Sequence, residues 1–547
     1  MATDSRVVGG FGQVSQTVGT VFRYLLLFAT LVGLIVLGIL LLFVANDAVQ
    51  PLTADPGWHL VFLSTLVVPT LSTVGYLFAR ARAALSVGVA ALGLAVVSTM
   101  FAGGIAMILV DIVPPITWAG YVLTFAVPTV AFLAARRAVD LPLLAWLPVA
   151  AIVYYASLLG IPGPLGGVVG LEQTVPSVAA LFSSLSVLPA DWILLVATFT
   201  LPVAAAVGSY VRPAGDRVAA AVGVGGVAVA SAAALSSSAF GLTPVPATTL
   251  ATLVVVPTSG YVCRTVLSRP RDRIGLALPA VVVGGSLLGA VLVRAFGFAG
   301  PQSWVDWQFL TSAHSRAAID AGLYPAIGGS ILLMVTVALF SFPLGVGAAV
   351  YLEEYAPNNR FARFIDVNIS NLAGVPSVVY GLLGLGVFVR YLDQPSGTVL
   401  VGGATLALLI LPIVIISSRE ALRSVPDDMR RASYGMGATR WQTVKNVVLP
   451  RSFSGILTGT ILALGRAIGE TAPLIMIGAP DVLFSLPTEF SAKVSAMPLQ
   501  VFAWASLYAT PEFYQRAVPA GVVVLVSVLL AMNSVAIVLR NRYQNEQ

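Results

Sequence analysis

Fourteen stretches of this chain are apolar over lengths that suit a bilayer, and they leave little room for any other kind of fold. They run approximately over residues 20–45, 58–78, 83–110, 116–135, 142–160, 191–211, 217–236, 247–263, 274–297, 325–351, 366–389, 399–418, 453–479 and 517–539. A hydrocarbon core about 30 Å thick needs about 20 such residues at helical rise. Inside it each backbone N–H and C=O must find a partner without water, which a helix achieves within one segment. Composition agrees: 58% of the 547 residues are hydrophobic and 10% charged, against about 25% charged in a soluble domain. The expected fold class is an all-α polytopic membrane protein with about 14 transmembrane helices.

Charge orients the stretches. With the N-terminus inside, alternate loops hold Arg80 and Arg82, Arg136 and Arg137, Arg212 and Arg217, the cluster Arg264 to Arg273, and Arg360 and Arg363. Among the 29 Lys and Arg residues, those assigned elsewhere are Arg294, Arg316, Arg390, Arg466, Lys493 and Arg516. That bias predicts cytoplasmic N- and C-termini. The first stretch is too long for a signal-peptide core and is expected to stay as a span.

The remaining residues exclude several classes. Cys263 is the one cysteine, and His59 and His314 lie far apart, so neither a disulfide nor a metal site is expected. No G-x-x-x-x-G-K-[ST] loop is present, so the chain is expected to bind no ATP and to need no cofactor of its own. A net charge of +6 is accounted for by the inside loops, and nucleic acid is not an expected partner.

The longest polar run is Met429 to Pro450, MRRASYGMGATRWQTVKNVVLP, with Arg430, Arg431, Arg440 and Lys445 inside it. It is expected to form two short helices. Ser424 is placed to cap the first, and Asp427 and Asp428 fall in its first turn, where carboxylates suit the helix dipole. Gly435 and Gly437 end it. Thr439 and Gln442 have capping-box spacing at the start of the second, and Pro450 is expected to close that helix. Such a hairpin between spans is either an ordinary basic loop or a docking element on which a soluble partner pushes.

Two apolar stretches carry features that lipid alone does not explain. In NLAGVPSVVYGLLGLG, Asn371 to Gly386, Gly374 and Pro376 interrupt a span. The result is either a kinked packing helix or a broken helix that presents backbone groups to a substrate, with Asn371 and Ser377 flanking the break. In TGTILALGRAIGETAPLIMIG, Thr458 to Gly478, Arg466 and Glu470 stand four apart, expected on one helix face. A charge at a bilayer centre costs about 2.5–3.5 kcal/mol on the mild insertion scale. The pair is therefore either a structural bolt or a path for an anion, with Arg466 attracting it and Glu470 holding the arginine.

The polar run resembles the EAA loop of ABC importer permeases. In that pattern Glu-Ala-Ala is followed after three residues by Gly, then after nine by an apolar residue, one further residue and Leu-Pro. Ala432, Ser433, Gly437, Val447, Leu449 and Pro450 fall on that spacing, with Arg431 where the pattern has Glu. The ordered blocks GLYPAIGGS, YLEEYAP, NLAGVPSVVYG, GATRWQTVKNVVLP, SGILTGTILALGRAIGETAPL and MPLQVFAWAS, over roughly residues 300–540, are similar to the A-type permease of the Pst phosphate ABC importer.

The resemblance implies a type I ABC importer permease core of six spans within residues 271–547. Its coupling loop would be 420–451, and residues 1–270 would be an accessory membrane region of about eight spans and unknown role. It implies ATPase contact by Arg431, Ala432, Ser433, Gly437, Ala438, Thr439, Leu449 and Pro450, and a phosphate path along Arg466, Glu470, Asn371 and Ser377. The implied partners are a C-type permease, a cytoplasmic ATPase dimer that binds the ATP, and an external phosphate-binding protein. The chain itself would be a transport subunit in the plasma membrane, surrounded by lipid, and not an enzyme. A permease for molybdate or sulfate, or a proton-coupled carrier using Arg466 and Glu470, remain as alternatives.

One faint echo crosses the chain. Pro51, Trp58, Phe62, Leu63 and Ser64 follow the first span much as Pro301, Trp307, Phe309, Leu310, Thr311 and Ser312 follow the ninth. Either several spans were inserted after an original first span, or the composition converged.

Overall fold

A computed structural model describes residues 16–138, 143–161, 175–185, 190–357, 359–508 and 510–545. The helices that matter are α1 (Gln16–Val49), α2 (Pro56–Arg80), α3 (Arg82–Ile112), α4 (Pro115–Ala138) and α5 (Leu143–Leu159). Then follow α6 (Asp191–Ala214), α7 (Asp216–Leu235), α8 (Pro244–Ser268), α9 (Arg273–Phe296) and α10 (Tyr324–Tyr355). Next are α11 (Arg360–Ala373), α12 (Ser377–Tyr391), α13 (Val399–Arg423), α14 (Asp427–Gly435) and α15 (Arg440–Ile468). The chain finishes with α16 (Ala472–Met476), α17 (Met497–Ser506) and α18 (Phe513–Val535). Twelve of these are long and apolar enough to cross a membrane, the bent pair α11–α12 makes a thirteenth, and α5 contains a shorter apolar helix. These correspond to the fourteen apolar stretches.

Pro450 does not end its helix. A π turn, Val444–Val448, lies just ahead of it, and α15 runs on to Ile468. The Leu449 N–H reaches back five residues to the Val444 carbonyl. The widened turn makes room for the proline ring, which a regular turn would bring against the carbonyl four residues back. The same π turn precedes Pro69, Pro202, Pro257 and Pro519 in α2, α6, α8 and α18.

Two expected spans are broken. The stretch 366–389 is a two-part elbow, with α11 and α12 meeting at 106°. The stretch 453–479 stops at Ile468 and resumes as the one-turn α16. Gly374 with Pro376 and Gly469 with Pro473 supply the breaks, since glycine holds the helix weakly and proline cannot donate to it.

In the C-terminal half α10 packs along α13, α13 along α15 and α15 along α18. Small residues set the spacing: a Cβ on Gly403 of α13 would meet Thr336 of α10 at 2.5 Å. Leu333, Val337, Leu406, Ile410, Ala463 and Ala467 fill the seam between these helices. The long α1 lies along α18, and α9 lies against α2 and α3.

Candidate functional site

The polar hairpin is built largely as its residues dictate. Asp427 and Asp428 open α14, and Gly437 follows its end with φ +82°, a left-handed conformation that a side chain strains. Thr439 and Gln442 form the reciprocal capping box: the Gln442 N–H donates to Thr439 Oγ1 at 3.3 Å, and the Thr439 N–H to Gln442 Oε1 at 2.8 Å. The hydroxyls of Ser433 and Thr443 meet at 2.8 Å in the buried seam between the two helices. Ser424 does not cap α14. It belongs to the end of α13, where its hydroxyl donates to the Ala421 carbonyl, and Pro426 stands at the N-cap instead.

Arg431, Ala432 and Thr439 lie on the exposed side of the hairpin, Ala438 is half-buried, and Leu449 and Pro450 lead into the span. Beside them Tyr434, Met436 and Trp441 are exposed on the same hairpin. Exposed aromatic and methionine side chains are the types enriched in protein interfaces. Sequence reasoning passed over these three, although aromatic and methionine residues inside a basic run were the available signal.

A charge network ties the hairpin to the spans. Arg430 donates to Glu354 at 3.0 Å, to the Leu422 carbonyl at 2.9 Å and to the Val425 carbonyl. Arg419, near the end of α13, bonds Asp366 of α11 through both terminal nitrogens and Glu353 of α10 at 3.4 Å. Arg423 donates to Glu353 at 2.9 Å. The Arg440 guanidinium stands over the Tyr355 ring at 5.7 Å. Around these groups is a polar cavity of about 640 Å³. α10, α11, α13 and the hairpin thus share charged joints.

The elbow reaches the second site. At the break Pro376 offers no N–H to the Leu372 carbonyl, which instead accepts from the Val375 N–H at 3.1 Å and from the Tyr380 hydroxyl at 2.8 Å. A Cβ on Gly381 of α12 would meet Pro473 Cα at 2.9 Å, so the elbow lies directly against α16. Just before α16, Arg466 Nε and Glu470 Oε1 are 3.4 Å apart. The pair forms as its spacing predicts, but not on one continuous helix. Arg466 is in the last turn of α15 and Glu470 follows the Gly469 break. The cation at a helix C-terminus also meets the negative end of the dipole. Asn371 is exposed at the end of α11 and Ser377, half-buried, begins α12. Among the described residues neither side chain bonds to Arg466 or Glu470.

On the opposite side, the loop from Ser303 to Tyr324 is pinned by His314. Trp504 Nε1 donates to His314 Nδ1 at 3.0 Å, among the rings of Phe484, Tyr508 and Phe513. Burial pushes the His314 pKa below its ordinary value, which keeps Nδ1 an acceptor.

Residues 341–544 match the family described as binding-protein-dependent transport system inner membrane component. The chain is 35% identical over 223 residues to the probable ABC transporter permease protein YqgI of Bacillus subtilis (strain 168), covering 40% of this chain and 74% of that protein. It is 34% identical over 218 residues to the phosphate transport system permease protein PstA of Mycobacterium leprae (strain TN), with coverages of 40% and 69%. To the phosphate transport system permease protein PstA of Yersinia pestis it is 35% identical over 216 residues, with coverages of 39% and 71%.

Proposed function

The chain belongs to the binding-protein-dependent transport system inner membrane components, the permeases of ABC transporters, and from that premise we propose that it is the A-type permease of an ATP-driven importer of inorganic phosphate. The observation that carries this reading is Arg466. It is a cation held by a single glutamate, half exposed on the outer face of α15, beside a broken helix. A guanidinium left open to lipid is expensive, so this face wants a covering partner and a watered path. A C-type permease supplies the cover and phosphate is the anion. Arginine suits it because its planar fork matches tetrahedral oxyanions.

In this reading an external binding protein releases phosphate at the outer mouth. A pair of cytoplasmic ATPase subunits binds ATP, closes, and pushes the hairpin at Arg431, Ala432, Ser433, Gly437, Ala438, Thr439, Leu449 and Pro450. The charged joints at Arg419 and Arg430 pass the movement to α11, and the elbow at Asn371 to Ser377 shifts against α16. Glu470 limits how tightly Arg466 keeps its passenger. The chain is multi-pass in the plasma membrane with both termini in the cytoplasm, and ATP is hydrolysed on the partner.

The test is labelled-phosphate uptake into vesicles holding this chain with its candidate C-type partner, ATPase and binding protein. ATP-dependent uptake that molybdate and sulfate do not compete away is expected. Competition by those anions would shift the substrate within the same architecture. Uptake without ATP that collapses with the proton gradient would replace the importer by a carrier.

A further inference from the structure

We propose that residues 51–300 are an eight-span unit inserted into a six-span permease, that α1 rather than α9 is the first span of that permease, and that the insert braces the outer end of α10. Three observations carry this.

The first is the neck. The chain leaves α1 and returns from α9 through two strands clamped to each other. The Asp55 N–H donates to the Ala299 carbonyl at 3.1 Å, and the Ala299 N–H returns a bond to Asp55 Oδ2 at 2.7 Å. The Gln302 N–H donates to Thr53 Oγ1 at 2.9 Å, and the Trp304 N–H to the Ala48 carbonyl at 2.8 Å. Ends that close on themselves are what an inserted domain requires. The echoing segments after α1 and after α9 fall at the two lips of this neck, where Trp58 stands beside Gly300.

The second is partition of packing. The span α9 rests on α2 and α3 through close glycine contacts: a Cβ on Gly289 would meet Phe62 and Thr65 at 2.9 Å, and one on Gly88 would meet Leu278 at 3.0 Å. By contrast α1 lies along α18, the last span of the permease. Counting α1, α10, the α11–α12 elbow, α13, α15 and α18 makes six.

The third is parity. Seven of the helices from α2 to α9 are long enough to span, and the shorter apolar α5 counted with them makes eight, the even number that the closed neck requires if the chain is to re-emerge on the face it left. The six remaining crossings then alternate without a gap, and the α14 hairpin falls on the same side as the N-terminus.

The insert is not idle. Its α3 contacts α10 and α18. A Cβ on Gly104 would meet Ile331 at 3.1 Å, one on Gly328 would meet Met107 at 2.9 Å, and the Tyr324 hydroxyl donates to Asp111. These residues sit at the outer end of α10, where the outer loop joins the span. Asp111 is a positioning residue for that end.

The experiment cuts the folded, full-length chain in its assembled complex. Protease sites are placed after Gln50 and after Gly300, both are cleaved, and the membranes are extracted in detergents of increasing strength. The expected result is that fragment 1–50 stays with 301–547 while 51–300 is released first, with phosphate uptake retained before release. Departure of 1–50 together with 51–300 would overturn the proposal. So would loss of uptake on double cleavage when either single cut leaves it intact. A photocrosslinking amino acid at position 44 in the uncut chain, half-buried on α1, gives a second reading: capture by α18 is expected, and capture by α9 sinks the idea. If the uncut complex imports no phosphate, the substrate assignment fails, while the fragments and crosslinks still decide the architecture.

Discussion

Arg430–Glu354 and Arg466–Glu470 are both arginine–glutamate pairs at helix ends, with N–O separations of 3.0 and 3.4 Å. Their surroundings differ. At the hairpin the two side chains are 14% and 6% exposed, and the arginine also serves two backbone carbonyls. In the span the arginine is 49% exposed, and among the described residues its one ion-pair partner is a glutamate on the far side of a helix break. The first arginine has spent its donors, and the second keeps most of them free. A charge whose donors are used up holds a structure together, whereas one with donors to spare is available to a ligand.

Four substitutions sharpen or break that contrast, in falling order of effect. Glu354→Ala strands the Arg430 charge and should cost about 3–5 kcal/mol, read as lost thermal stability and a depleted membrane level. Restoration by Glu354→Met with Arg430→Met would confirm that the cost is the stranded charge. Arg466→Gln should leave the level of the chain normal and lower uptake by about 1.5–3 kcal/mol, or about 10–150-fold. Normal uptake by that variant would make both pairs structural.

Gly437→Asp forces a left-handed residue to carry a side chain at a cost of about 1–2 kcal/mol. The space around Gly437 is open, so folding should survive while the co-purified ATPase falls. Glu470→Gln is smallest. A half-exposed pair contributes about 0.2–1 kcal/mol, so uptake should change only a few-fold, chiefly in the half-saturating phosphate concentration. A drop as deep as that of Arg466→Gln would show that Glu470 does more than orient its neighbour.

Local signals were legible and non-local ones were not. Thr439 and Gln442 announce their capping box because every atom of it lies within four residues. Gly374 and Pro376 announce their break for the same reason. The Arg466–Glu470 spacing correctly brings the two together, but a four-residue step does not say whether Gly469 lets the helix continue. Ser424 reads as an N-cap only until α13 is seen to extend over it. Glu353, Glu354 and Asp366 stand in the quoted motifs or beside them, yet their partners lie 53 to 76 residues away in sequence. Nothing in the pattern of either segment names those partners. The position of α1 beside α18 is non-local in the same way.

The π turns ahead of the five prolines bear on how such spans are to be aligned. Each holds one residue more than a regular helix of the same rise, and one residue is about 100° of rotation. A lipid-facing stripe followed at constant period across Pro69, Pro202, Pro257, Pro450 or Pro519 therefore drifts onto a neighbouring face beyond it. The same extra residue is a tolerance. A one-residue deletion inside such a turn converts it to an ordinary one and leaves both ends of the span on the faces they had, provided the proline goes with it, since a regular turn would bring the ring against the carbonyl four residues back. These turns are accordingly where a span of this fold can lose one residue, together with its proline, and keep the register of its core.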